Sequence, residues 1–578
     1  MEMDSSEAAP SGDAPQAAPH SPWSVGDAWR AARASAGNAL IAATGGIVLM
    51  LLARALFQIA TPAELLGDRL TALIPLGVFS ALLNFFGHNA KHFYFGGLLV
   101  AQGVATAALA SLYWAARTTW TVRLRQGGGA SASATTLPPA WWDVLVFGAL
   151  FWLVSTGIVA PLIGAGLLGN GVNGGALALL EAEAIPALGT AALFVWLAGR
   201  QAQYATPDHP AGVTSTGKAA TSVSRRRVLR QAGFALAVLA GTAVVWESVT
   251  RLAATLGRTR PALHLGDVPT QVAPPTPQYA GWQDTPGLVA EVTPTPAFYY
   301  VSKNLESDPA LNAETWHLTL SGMVDRPLTL SYDELRALGS TQQYQTLGCI
   351  SNEVGGDLIS NARWTGVSLA DLLGQASIQP GASEVIFRCA DGYSDRLHLT
   401  QALNPEALVA YLINGQPLPT AHGFPARLLV PGLYGMKNGK WVTSLEVAAG
   451  NYQGYWEQRG WTQEAIIKLM ARVDVPSDGD LLPRKPVMIA GIAFAGDQGV
   501  GRVEVTTNGG DTWSAARLKQ PLSNVTWVLW EYPWTPEPGT HVIAVRAIDL
   551  AGRVQTPREA PPLPDGASGY HAITVTVG

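Results

Sequence analysis

The chain has almost no thiol: Cys349 and Cys389 are the only cysteines in 578 residues. Two cysteines cannot build a disulfide framework, and without a CxxC or CxxCH stretch there is no zinc ribbon and no covalently attached haem. A single Cys349–Cys389 bridge stays arithmetically open, as does the ordinary fate of a free cysteine, burial as a small inert hydrophobe. Charge is sparse as well. Charged residues make up 14% of the chain, the formal net charge is −5 and the pI is near 6.1, which leaves no basic footprint for nucleic acid. One long stretch has no acid at all, from Glu406 to Glu446.

What is present divides the chain in two. Residues 1–37 are rich in Ala, Pro and Ser and read as disordered. Apolar stretches then run over about 38–60, 70–88, 95–116, 142–168, 177–198 and 231–256, each near the roughly 20 residues that a helix needs to cross a bilayer. Five or six transmembrane helices are expected. The second is the weakest, because it ends in FFGHNAKHFYF, an interfacial belt of aromatics with His88, Lys91 and His92. Those two histidines lie four apart on one segment, whereas bis-histidine haem needs two facing rings, so no haem is predicted.

Basic residues set the orientation. Arg117, Arg123 and Arg125 follow the third stretch, and Arg200 and Arg225 to Arg230 lie between the fifth and sixth. Both loops belong in the cytoplasm, so the sixth helix delivers everything after residue 256 to the extracytoplasmic, periplasmic side of a multi-pass cell-membrane protein. Arg30 and Arg33 conflict with six strictly alternating spans; one early segment is then re-entrant, or the count is five. SVSRRRVLRQAGFALAVLAG, with its basic cluster at 224–230, resembles a twin-arginine export signal. Ordinary positive-inside flanking is the other reading, and both place the C-terminal half outside.

Residues 257–300 form a Pro-rich linker and a wrapping loop. ETWHLTLSGMVDRPLTLSYDELRAL reads as strand, turn, strand and short helix, with Ser331 and Glu334 forming a capping box. Strands and short helices continue, and 301–483 is an α+β domain. Residues 484–578 are all-β: GRVEVTTNGGDTW puts Val503 and Val505 on one face and turns at Asn508-Gly509, and regularly spaced strands follow, as in an immunoglobulin-like sandwich.

The acid-free stretch holds His422, Arg427, Lys437 and Lys440 among Gly, Pro and apolar residues. Uncompensated cations in such a setting point to a phosphate ligand, with Arg as a planar fork and Lys as a point charge. Here TLGCISNE, NARWTG, AYLINGQPLP, HGFPARLLVPGLYGMKNGKW and GRVEVTTNGGDTW together resemble the sulfite oxidase family of molybdopterin oxidoreductases and its dimerisation-type β-sandwich, over about 290–578.

The resemblance implies a molybdenum–molybdopterin cofactor with Cys349 as the metal's thiolate ligand, a soft donor suited to a redox metal. It implies that His422, Arg427 and Lys440 hold the pterin and its phosphate, with Lys437 and Asn352 as further cofactor-side candidates and Asn304 in the entry loop. Tyr411 is matched to an active-site tyrosine whose phenol donates a hydrogen bond or proton. Cys389 reads as a buried structural thiol. The family's arginines after the cysteine are replaced by Glu353 and Val354, and the sandwich arginine by Gly499 or a neighbour, with Arg363 and Arg388 as candidates to compensate.

The expected architecture is thus multidomain: all-α transmembrane helices, an α+β molybdopterin domain, and an all-β sandwich. The expected function is membrane-anchored, two-electron oxygen-atom transfer on a small oxo-anion. Alternatives are reduction of S-oxides or N-oxides such as methionine sulfoxide, or a metal-free tethered binding protein. A cytochrome or quinone would exchange the electrons, and the sandwich would form a homodimer.

Overall fold

The computed structural model describes residues 25–57, 61–75, 90–127, 141–159, 175–203, 270–272, 285–304 and 308–578, with positions 78, 82, 85 and 86 between them. Two compact units emerge, one of Met1–Thr61 with Gly97–Leu256 and one of Pro62–Gly96 with Gly257–Gly578. The twin-arginine-like stretch, the sixth apolar stretch, His88 and most of the Pro-rich linker lie outside the described residues.

The first unit is helical. Its helices include Val25–Phe57, Trp141–Val154 and Gly175–Gln203, and the long helix Ala90–Gly127 belongs to it from Gly97 onward. Three apolar segments are long enough to cross a membrane, Ser35–Arg54, Ala90–Thr118 and Trp141–Ile158, and Ala184–Arg200 is a shorter apolar one. Inside, Ala39, Ala42 and Ala43 meet Ala107, Ala110 and Ala191 around Phe147 and Phe194, small side chains that let helix backbones approach closely. Outside, Leu112, Leu150, Leu153 and Ile158 are exposed, which suits hydrocarbon rather than water. Thr44, Ser111, Thr118, Thr156 and Thr190 each donate to the carbonyl four residues back, so these five hydroxyls are satisfied within their own helices. Of the 70–88 stretch, residues 70–73 end the 12-residue helix Pro62–Leu73, and much of the remainder lies outside the described residues.

In the second unit, two sheets frame the α+β domain. One runs Thr270–Val272, Ser340–Gly348, Ile359–Ser368, Leu408–Ile413 and Arg427–Leu429; the other runs Leu328–Ser331, His317–Gly322, Val442–Ala448, Glu384–Cys389 and Ser394–His398. Helix Tyr332–Ala337 starts at the expected capping box, with Ser331 and Glu334 bonding reciprocally. Helix Leu369–Ala376 buries Leu369, Leu372, Leu373 and Ala376, a helical-period stripe facing the core.

The sandwich packs a sheet of Met470–Val475, Val487–Phe494, Val528–Trp534 and Arg517–Leu518 against one of Leu481–Leu482, His571–Val577, Gly539–Asp549, Val500–Thr506 and Ser514–Ala515. Its first strand begins at Met470, so the boundary expected at 484 falls inside the sandwich. Val503 and Val505 are buried and Arg502 exposed, as their alternation requires. The sandwich also grips the strand that leads to Cys349. The Trp527 amide donates to Thr346 Oγ1 at 2.9 Å and the Thr346 amide to the Val525 carbonyl at 3.0 Å, while Ile350 and Ile359 pack with Ile492, Phe494 and Trp527.

Candidate cofactor site

Cys349 follows directly on the strand Ser340–Gly348 and opens a turn: its amide donates to the Leu358 carbonyl at 2.8 Å, and its own carbonyl accepts from Asn352 at 3.1 Å. Burial pushes its thiol up, while hydrogen bonds from Ser351 and Ile350 and the charge of Lys440 pull the other way. Donors already arranged around the sulfur favour its anion, and a metal supplies the remaining drive to lose the proton. Both cysteines are free thiols, so the bridge does not form.

Cys349 lines a cavity of about 140 Å³ together with His422, Arg427, Lys440, Asn438 and the aromatics Tyr299, Tyr393, Trp456 and Trp461. Three chain segments assemble its basic wall. His422 ends the short turn Thr420–His422, Arg427 begins the strand Arg427–Leu429, and Lys440 follows the turn Gly435–Lys437. Asn438 fastens these segments, accepting from the Val430 amide at 2.7 Å and donating to the Leu433 and Tyr434 carbonyls at 3.1 and 3.0 Å. Gly423 needs its left-handed φ of +108°, and a Cβ there would stand 3.1 Å from Arg427 Cβ and Lys440 Cα.

The electrostatics of this wall are lopsided. Arg427 is buried; its two terminal nitrogens donate to the carbonyls of His422 (3.3 Å) and Asn438 (3.1 Å), and its Nε has no partner. Lys440 donates to the carbonyls of Val301 (3.1 Å) and Ala421 (3.0 Å) and lies over the rings of Tyr300 and Trp441. Neither cation is in an ion pair among the described residues. Burial lowers Arg427 to about 10 and Lys440 to about 8. His422 falls to about 4 through burial and then through the charges of Arg427 and Lys440, so its ring is neutral at pH 7. A buried, unpaired guanidinium beside a second cation is costly without an anion. An orphaned Nε, two unneutralised cations and a thiol in one cavity therefore fit a phosphate-bearing, metal-carrying group.

Not every expected residue reaches the cavity. Tyr411 is fully buried in the core, with its ring 6.5 Å from Tyr332, and does not line the cavity. Lys437 points away, to Asp395 at 2.7 Å and Glu457 at 2.6 Å, and donates to the Arg396 carbonyl. Asn352 accepts from the Leu358 amide at 2.8 Å and pins the cysteine turn. Asn304 donates from its side chain to Asp308 at 3.2 Å, while its neighbours Val301, Ser302 and Lys303 line the cavity. Arg388 pairs with Glu446 at 2.6 Å, half exposed; like Arg363, it does not line the cavity. Cys389 lies in the core, as expected for a structural thiol.

Sequence reasoning missed Asp391, which lines the cavity 3.9 Å from Lys303, and also Tyr299, Trp456 and Trp461. Asp391 stands two residues beyond Cys389 in the ADGY stretch, the signal that could have found it.

Residues 305–456 match the family model of the oxidoreductase molybdopterin binding domain, and residues 458–561 that of the Mo-co oxidoreductase dimerisation domain. Sulfite oxidase of Arabidopsis thaliana is 32% identical, with 46% of this chain and 82% of that protein covered. Mitochondrial sulfite oxidase of Homo sapiens is 31% identical, with 48% of this chain and 60% of the human protein covered, so the chain spans less than two thirds of that relative. Among solved structures, the sulfane dehydrogenase SoxCD from Paracoccus pantotrophus matches at 20% identity with a TM-score of 0.45, covering 52% of this chain and 90% of that one. With its motifs in order and both domain models matched, the chain belongs to the sulfite oxidase family of molybdopterin oxidoreductases.

Proposed function

We propose that this protein is a molybdenum-dependent oxidoreductase that moves an oxygen atom to or from a small substrate in a two-electron reaction. The observation that carries the reading is the buried Arg427 guanidinium, unpaired and sharing one cavity with Cys349. A molybdenum–molybdopterin group bound there supplies the two-electron couple and the transferable oxygen. Cys349 holds the metal as its thiolate. Arg427 and Lys440 hold the phosphate, and neutral His422 can give or accept a hydrogen bond without changing charge. Tyr299, Trp456 and Trp461 give the cavity an aromatic lining.

Sulfite is the first substrate to test, from the names of the relatives. One observation favours the second reading, an S-oxide or N-oxide: among the described residues no cavity-lining cation remains beyond Arg427, Lys440 and the Asp391-paired Lys303, while Glu353 and Val354 line a separate small pocket that Cys349 also borders. A dianion therefore has little left to neutralise it. The metal-free binding-protein reading has no observation in its favour, since a retired site need not keep both a thiol and two unpaired cations.

The catalytic half works at the extracytoplasmic side of the membrane, held by the apolar helices, which accords with the distribution of Arg in the loops. A cytochrome or a membrane quinone exchanges the electrons, and the dimerisation-type sandwich pairs two copies. Turnover of sulfite against methyl sulfoxides by the molybdenum-loaded full chain tests the reading. Oxygen transfer to or from either substrate supports it, and no transfer by a loaded protein overturns it.

A further inference from the structure

The turn that presents Cys349 is knitted from within and held from outside. Within it, the Asn352 amide donates to the Cys349 carbonyl at 3.1 Å, the Gly356 amide to the Glu353 carbonyl at 3.0 Å, and the Leu358 amide to Asn352 Oδ1 at 2.8 Å. Residues 349–358 therefore move together, and a shift at the far end reaches the sulfur. That far end, Gly355 and Gly356, is met by the sandwich. Arg472, on the strand Met470–Val475, is buried; its Nη1 donates to the Gly356 carbonyl at 2.7 Å and its Nε to Asp474 at 2.6 Å. Asp474 in turn accepts from the Val289 amide at 3.4 Å. His571 begins the strand His571–Val577, and the Val473 amide donates to its Nδ1 at 3.0 Å. Its ring lies against Gly355, where a Cβ would stand 2.3 Å from His571 Cδ2. Gly355 also takes a φ of +78°, so both backbone and ring require the glycine. Between turn and sandwich lies a gap of about 30 Å³ bordered by Cys349, Asn352, Met470 and Phe494. Close packing is interrupted there, which leaves the contacts with Arg472 and His571 to fix the far end of the turn.

We propose that Arg472 and His571 are positioning residues: from the sandwich they fix Gly355 and Gly356, and thereby set where the Cys349 sulfur stands in the cavity. This deepens the oxygen-transfer reading and rests on it for what the sulfur binds. Neither side chain lines the cavity that Cys349 shares with His422 and Arg427, so both act through the turn. A bond from a guanidinium is stronger than one between neutral groups, and here it ends on a main-chain carbonyl, so it holds the backbone itself. Groups that orient a metal ligand in this way also tune the metal it binds. The sandwich thus contributes to the site without touching the bound group.

The test uses the full chain in two forms, produced without molybdenum and loaded with cofactor. Two variants disturb the contact from opposite sides. Arg472→Met combined with Asp474→Asn removes the ion pair as a pair, so that no buried carboxylate is left without its cation, and Gly355→Ala sets a methyl against His571. In the metal-free chain, iodoacetamide labelling is read separately at Cys349 and Cys389 by peptide mass spectrometry. Cys349 labelling should rise about ten- to hundredfold in the double variant, the range of one hydrogen bond to a charged group, and should rise in Gly355→Ala as well. Cys389, in the core, should keep its wild-type rate, whereas a loss of overall stability would raise both cysteines together. In the loaded chain, the visible absorption to which a thiolate–metal bond contributes should shift while molybdenum content is unchanged. An unaltered Cys349 rate in both variants, a rise shared by Cys389, or loaded spectra identical to wild type would overturn the proposal. A selective rise at Cys349 in a chain that takes up no molybdenum would uphold the positioning of the sulfur and count against the oxygen-transfer reading.

Discussion

Lys440 carries a charge that the empty fold holds at a cost. Its ammonium is lowered to about 8 from 10.5, chiefly by burial, so without an anion the folded state binds its proton less tightly than the unfolded chain does. The stability of the empty protein therefore rises as pH climbs from about 8 toward 10.5. A phosphate-bearing ligand reverses this by pairing with the charged form. Added pyrophosphate should raise the melting temperature at pH 7, the gain should shrink above about pH 8, and Lys440→Met should abolish both effects in thermal scans. His422 acts at the other end. Its folded value of about 4 lies below the ordinary 6.5, so its contribution to stability is present above 6.5 and lost as pH falls through about 4; His422→Phe should flatten that part of a stability–pH curve. Tyr411, by contrast, lies in the core, and Tyr411→Phe should leave turnover within about twofold of wild type, because surface or core changes remote from a reacting group leave transition-state contacts intact. These contrasts show what one sequence discloses. Cys349, His422, Arg427 and Lys440 are legible because each sits in a short motif whose glycines and prolines fix the local backbone. Tyr411 is not, because all six residues of its strand are buried, so alternation no longer says which face meets the cavity.

At the scale of elements, the ion cluster of Lys437 is the joint between three segments that line the cavity. Asp395 stands two residues from Tyr393, Lys437 beside Met436, and Glu457 beside Trp456, and all three lining residues touch the cavity. Lys437 is 2% exposed and both of its carboxylate partners have side chains that are fully buried. Asp395 is raised to about 6 by burial, against the pull of Lys437 and with the push of Glu457. Removing the ammonium leaves two buried carboxylates without their cation, which costs about 3–5 kcal/mol. Lys437→Met should lower stability by that order in urea unfolding, and adding Asp395→Asn and Glu457→Gln should restore most of it. A lysine that served the cofactor would instead lower molybdenum content with little change in stability. The sequence could not assign this role, because the partners lie 42 and 20 residues away and only the packed fold brings them together. The capping box at Ser331 and the Asn508 turn were legible for the opposite reason: their partners lie within four residues.

At the scale of the whole molecule, the sequence divides into an apolar helical half and a soluble half that carries the family's motifs. Among the described residues the apolar runs fall on helices, and three of these are long and apolar enough to cross a membrane, because a run of about 20 apolar residues is legible from composition alone. The distribution of basic residues along the sequence is the basis for proposing that the soluble half lies outside the cytoplasm. A reporter active only outside the cytoplasm should work when fused after Gly578 and fail when fused after Arg125; the reverse pattern would invert the topology. The central claim is that Cys349 and the unpaired cations around it form a molybdenum–molybdopterin site. Metal analysis of the purified full chain from a molybdenum-replete host, set beside Cys349→Ala and Arg427→Met, tests it most directly. The account predicts near-stoichiometric molybdenum in the wild type and its loss in both folded variants. A folded, cofactor-supplied wild type without molybdenum, or variants that retain it in full, would contradict the account.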